Sequence, residues 1–247
     1  MNDKGIGFNR TIFLRWLDAA VDLRIRTDDL PSLRNGLKVV VGQDIIGVDA
    51  IRKSVDVIVN IWHKSAEIDD GLHAQALKFL PQISVAERIW LHYGLTLLYY
   101  PFFRQTAAIL GQFARTGEPI TRQAVKGRLS AEIGHLGSLN RSAERVIASL
   151  VDWGLLSHQG KENIYIPKIK AVKIDDLQVQ NWLLACVLLA HPANELPFPD
   201  LIRLPELFPF DLSITLDSLR PDSRFIIHKQ GMWDMIALNV QLETSKS

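Results

Sequence analysis

The sequence predicts a mainly α-helical protein with a small β component, and three observations carry that expectation. Apolar residues recur at three- and four-residue spacing through most of the chain. Helix punctuation brackets these runs, with Asp, Ser or Thr before them and Gly or Pro after. Alternating segments are short and fall within residues 155–166, 211–219 and 224–238. The expected architecture begins with a helical N-terminal domain (residues 1–83). An apolar helix plus a central winged helix-turn-helix with a small β-wing follows (84–170), then a small α+β C-terminal domain (171–247). A degenerate second winged helix would also fit that last part.

The elements follow in order. A helix from about Asn9 carries Phe13, Leu14, Trp16, Leu17, Ala20, Val21 and Leu23. Asp28 or Asp29 caps the next, with Pro31 in its first turn, where a missing N–H costs nothing, and Gly42 stops it. Asp49 caps a third helix bearing Ile51, Val55, Ile58, Val59 and Trp62. Asp69 or Asp70 opens a short helix that ends before Pro81. Ser84-Val85-Ala86-Glu87 reads as a capping box, in which serine and glutamate satisfy each other's backbone N–H groups. It opens a very apolar helix through Trp90, Leu91, Leu95 and Leu98, and a helix apolar on most faces belongs inside a core. Pro101 ends or kinks it.

Residues 101–168 have the order, spacing and turn chemistry of a winged helix-turn-helix. Pro101 to Thr116 is the first helix, and Gly117 to Ile120 an extended link. Thr121 caps a second helix through Ile133, and Gly134 and Gly137 bracket a turn. Ser138 or Asn140 caps a third helix through Trp153, which Gly154 ends. Leu155–His158 and Asn163–Ile166 alternate like two strands around Gln159-Gly160-Lys161-Glu162. Beyond them lie a helix from Asn181 to Ala190, a proline-marked connection over 192–209, and a strand or short helix over Asp211–Leu219. Two strands, Arg224–His228 and Trp233–Leu238, close the chain.

Charge narrows the function classes. The chain holds 28 Lys and Arg against 27 Asp and Glu, which excludes a polybasic tail, an acidic disordered region and a histone-like coat. The balance is uneven, however. Residues 1–100 are neutral, residues 101–170 carry +5 and residues 171–247 carry −4. A basic middle is a reason to expect an anionic partner there. The single cysteine, Cys186, lies in an apolar run and reads as a buried hydrophobe in a reducing cytosol. The longest uncharged apolar stretch, Ile89–Phe103, has 15 residues, short of the roughly 20 that span a bilayer. A cytoplasmic protein without membrane contact is therefore expected. The seven histidines make no HExxH, and no CxxC, phosphate loop or nucleophile elbow is present. No metal, no cofactor and no catalytic role are expected, and His92 reads as a core histidine.

The third helix of the central unit is where recognition is expected. With Ala143, Val146, Ile147 and Leu150 inward, its opposite face carries Arg141, Glu144, Arg145 and Ala148. A recognition helix enters the major groove with its N-terminal residues toward base edges. Arg141 and Arg145 suit guanine and Asn140 suits adenine, with Ser138 beside them at the helix start. Arg122, Lys126 and Arg128 on the second helix, and Lys161 at the wing tip, suit phosphates. The same pattern also fits a solvated helix face, because winged helices serve as protein-interaction modules too.

The layout resembles the BrxA-like proteins of the BREX bacteriophage-exclusion systems. The pieces that carry the resemblance are the Asp49–Trp62 helix, the apolar helix running into Tyr100-Pro101-Phe102-Phe103-Arg104, and the third-helix end Ser149-Leu150-Val151-Asp152-Trp153-Gly154-Leu155-Leu156. The resemblance implies a small, non-catalytic, mostly helical DNA-binding protein of a phage-defence system. Double-stranded DNA is the expected partner, with other phage-defence proteins beside it, and phosphate contacts are expected to dominate over sequence preference. The alternatives are an interaction adaptor or assembly scaffold of a defence complex, and a transcriptional regulator.

Overall fold

The computed structural model describes residues 7–118, 120–134, 138–160 and 163–239. The N-terminal part runs α1 (Leu14–Arg24), α2 (Leu30–Gly42), α3 (Val48–Trp62), α4 (Asp70–Phe79) and α5 (Ile89–Tyr99). Then come α6 (Pro101–Thr116), β1 (Ile120–Thr121), α7 (Arg122–Ile133), α8 (Leu139–Asp152), β2 (Leu156–His158) and β3 (Ile164–Pro167). The last part is α9 (Leu177–Ala190), β4 (Glu195–Pro197), α10 (Phe198–Leu201), α11 (Leu216–Leu219), β5 (Phe225–Gln230) and β6 (Trp233–Leu238). The protein is thus mainly helical, with two small antiparallel three-stranded sheets. No helix among the described residues is long and apolar enough to cross a membrane.

The order helix–strand–helix–helix–strand–strand occurs twice, as α6-β1-α7-α8-β2-β3 and as α9-β4-α10-α11-β5-β6. In both sheets the last strand is central: β1-β3-β2 and β4-β6-β5. The two runs differ in their middle helices. In the first these have 12 and 14 residues, and in the second 4 each.

Helix α5 is buried from Ile89 to Leu98, and α9 from Val179 to Leu188, as their uninterrupted apolar sequences require. They pack on each other where Gly94 has no side chain. A Cβ there would lie 2.6 Å from the Trp182 ring. The Trp182 indole N–H donates to Leu72 O of α4 at 2.9 Å. Cys186 is fully buried in the same contact, and desolvation pushes its thiol well up. The loop after α10 docks on α6 at Gly111, whose missing side chain admits the Pro205 carbonyl; a Cβ would stand 1.9 Å from that oxygen. Beside it the buried Glu206 carboxylate accepts from Arg104 at 3.2 Å, and its backbone carbonyl accepts from Tyr93 Oη at 2.7 Å. One hydrophobic core therefore runs from Phe8 to Ile236.

Two polar clusters inside this core are paired, although the buried Trp90 indole N–H has no hydrogen-bond partner among the described residues. The Trp62 indole N–H donates to His92 Nδ1 at 2.9 Å, and His92 Nε2 lies 3.0 Å from Asp18 Oδ1. An indole only donates, so Nδ1 accepts, and the ring is the neutral Nε2–H form that donates to Asp18. Desolvation lowers the His92 pKa below 6.5, outweighing the opposing pull of Asp18. Burial also pushes the Asp222 carboxyl up, but Arg224, at 2.6 and 2.8 Å, outweighs it and holds the group below its ordinary value.

Four expectations from the sequence change. The first helix starts at Leu14 and not near Asn9, because residues 8–13 are tied to α8 instead. Gly47 takes the N-cap position of α3, while Asp49 lies in the first turn and pairs with Arg52 and Lys53 at 2.6 Å each. Asn140 lies inside α8, and Ser138 occupies the N-cap position without a side-chain bond. Helix α9 starts at Leu177, ahead of Asn181, because the Asp176 carboxylate accepts from the Gln178 N–H at 2.7 Å. Of the strand and the short helix expected over residues 211–219, the structure has the short helix, α11, capped by Thr215. Elsewhere Asp29, Asp69 and Thr121 cap α2, α4 and α7 as their spacing predicts. Gly137 and Lys161 lie outside the described residues.

Two outcomes follow from the packing and the buried imidazole. Gly111→Ala forces apart backbones that touch and lowers the unfolding free energy by about 3 kcal/mol in a denaturant melt. Gly127→Ala, in α7 where a Cβ meets nothing within 4 Å, raises it by about 0.5–1 kcal/mol through helix propensity. His92 binds its proton more weakly in the folded chain than in the unfolded one. Its contribution is thus complete above pH 6.5 and declines as pH falls below that value. The melting temperature should drop between pH 7 and pH 5, and His92→Asn should flatten that drop.

Candidate nucleic-acid interface

Helix α8 is strongly two-sided. Leu139, Ser142, Ala143, Val146, Ile147, Ser149 and Leu150 are buried, because three- and four-residue spacing puts them on one face. Asn140, Arg141 and Arg145 are exposed on the other, with Glu144 and Ala148 partly exposed between them. Gly154 ends the helix at φ 74°, a left-handed value that favours glycine. The Leu155 N–H then reaches Leu150 O and the Gly154 N–H reaches Val151 O, a Schellman closure that sends the chain into β2.

The two edges of the exposed face are fixed by different parts of the chain. On one edge, α7 supplies Lys126, whose Nζ lies 2.7 Å from Glu144 Oε1. That hydrogen bond, aided by Arg122 and Arg145, holds the Glu144 carboxyl below its ordinary pKa against desolvation. An open cleft of about 520 Å³ lies between α7 and the start of α8, lined by Gln123, Lys126, Gly127, Ser130, Ala131 and Asn140. On the other edge runs the segment before α1. The Ile12 N–H donates to Ser149 Oγ at 2.8 Å, and Ile12 O accepts from the Trp153 indole at 2.9 Å. The Leu14 N–H donates to Asp152 at 2.6 Å, and Arg145 makes a long 3.5 Å contact to Thr11. Phe8 anchors the segment against Tyr100 and Phe103, with ring centroids 5.3 and 5.4 Å away.

The predicted contact residues separate into groups. Ser138, Asn140, Arg141 and Arg145 cluster on and beside the exposed face of α8. Arg141 makes no hydrogen bond or ion pair among the described residues. Arg122 is pinned to β3, donating from Nε to Tyr165 Oη at 2.6 Å. Lys126 and Arg128 leave α7 on opposite flanks. Arg128 turns back to α6, donating to Gln112 at 2.6 Å and lying 5.0 Å from the Phe113 ring centre. Lys161 lies outside the described residues. Sequence reasoning named Lys126 and Asn140 but missed the other cleft residues, Gln123, Gly127, Ser130 and Ala131, and the brace formed by residues 8–14. Opposite charges on neighbouring helices were the available signal for Lys126 and Glu144; the brace spans more than 130 residues and leaves no local signal.

Among the described residues no group of three or more His, Cys, Asp or Glu side chains is placed to hold a metal ion. Comparison of the chain with protein-family models, with curated proteins and with solved structures gives no match to any of them. The brace carries a stability test. Ser149→Ala leaves the buried Ile12 N–H without a partner and should cost about 1–3 kcal/mol in a denaturant melt.

Proposed function

We propose that residues 101–168 form a winged helix-turn-helix that binds double-stranded DNA, with α8 as the recognition helix. The element order of the first unit and its β1-β3-β2 sheet support this reading. The observation that carries it is the outer face of α8, where Arg141 stands exposed and without an internal partner between Asn140 and Arg145. Arginine pairs with guanine O6 and N7, and asparagine with adenine N6 and N7, so this face suits base edges. Lys126, beside the cleft, suits the flanking phosphates, with Lys161 of the wing as a further candidate. Arg122 and Arg128 act first as internal supports, holding α7 to β3 and to α6. In this reading the protein is a non-catalytic binder, and the sequence resemblance to BrxA-like proteins favours a role in a phage-defence system in the cytoplasm.

The second unit supports a different role. Its middle helices have 4 residues each, about 6 Å of helix, too short to lie along a groove. Its hairpin exposes Met232 at 80% and Trp233 at 50%, and the segment is acidic. This favours contact with another protein over contact with phosphates, in keeping with the adaptor or scaffold alternative.

Fluorescence anisotropy of a labelled duplex at two salt concentrations tests the main reading. Binding should weaken steeply with salt, and Arg141→Ala and Arg145→Ala should each weaken it about tenfold. An absence of binding at low salt overturns it.

A further inference from the structure

Glu144 stands in the middle of the proposed DNA-contacting face, yet a carboxylate cannot approach phosphates without repulsion. It lies one helical turn after Asn140, between Arg141 and Arg145 in sequence, with its side chain 40% exposed. Lys126 holds one oxygen, Oε1, at 2.7 Å. The other oxygen makes no hydrogen bond among the described residues. An ionised carboxylate only accepts hydrogen bonds. In the major groove, guanine N7 and O6 and thymine O4 are acceptors and repel it; adenine sets its N6 donor beside the N7 acceptor, and cytosine alone offers a donor, N4, with no acceptor next to it. A guanidinium on the same helix face pairs with the guanine of a G·C pair. The two preferences are compatible within one short G·C-containing site.

We propose that Glu144 is a specificity-determining residue of this surface: its carboxylate selects a cytosine, and Lys126 is the positioning residue that fixes its orientation. The proposal rests on the DNA-binding reading of α8 and deepens it. It predicts a protein with real sequence preference, in contrast to the phosphate-dominated binding that the charge distribution suggests. Without Glu144, the same face carries two arginines and no group that repels the wrong base edge or the backbone.

The test uses the full chain, a pool of randomised duplexes and sequencing of the bound fraction, with affinity for a random-sequence duplex measured beside it. The unaltered protein should enrich a motif with a cytosine at one position. Glu144→Ala should lose selection at that position alone, by about tenfold, and should bind the random duplex more tightly. Glu144→Gln should move that position from cytosine to adenine, because a glutamine amide pairs with adenine N6 and N7. Lys126→Met should weaken the cytosine preference while leaving Glu144 in place. If the unaltered protein binds DNA with no motif, or if neither Glu144 variant changes its motif, the proposal is overturned. If it binds no duplex at all, the DNA-binding reading falls first and this inference with it.

Discussion

Trp182 packs against α5 where Gly94 lacks a side chain, and its indole N–H reaches across to Leu72 O of α4. That one approach joins the last part of the chain to the first. A fully apolar helix such as α5 has no face to offer water, so it must be enclosed on every side. Helix α3 supplies one wall and α6 another, while α9, itself apolar throughout, supplies a third. The Pro205 loop on Gly111 repeats the device a short way along α6, where a glycine admits a backbone carbonyl. Both contacts depend on an absent side chain, which makes them intolerant of the smallest addition.

The exposed face of α8 inherits its rigidity from this arrangement. Helix α6 holds Phe103 and Trp153 in contact, and Phe8 packs on Phe103 from the other side. Residues 8–14 then run along α8 and use their backbone groups on Ser149, Asp152 and Trp153. A helix presented to a ligand needs its rotation fixed, because a small turn about its axis re-aims every side chain. Here the turn is fixed by α7 on one edge and by the N-terminal segment on the other. The repeated topology in the last part has no exposed helix of that length, its middle helices having 4 residues each.

Much of the site was legible in the residues. The periodicity of Ala143, Val146, Ile147 and Leu150 fixed which face of α8 points out, and therefore that Arg141 and Arg145 are exposed. Arg128 was not legible in the same way, because it is equally exposed by spacing but turned back by Gln112 and the Phe113 ring. A sequence shows where a side chain leaves its helix, and a long flexible side chain then chooses among partners that sequence distance conceals. Arg122 is the same case, drawn to Tyr165 on β3.

Local chemistry set the elements: caps at Asp29, Asp69 and Thr121, the left-handed Gly154, and two apolar runs that could only be interior. Those are short-range matters of backbone hydrogen bonding and hydrophobic burial, and they are readable from neighbours a few residues apart. The late start of α1, the brace on α8, the Lys126–Glu144 pair and the Gly94–Trp182 contact all join residues well separated in the chain. Apart from the opposite charges of Lys126 and Glu144, no sequence signal marks them, because each forms only after packing has brought distant parts of the chain within reach.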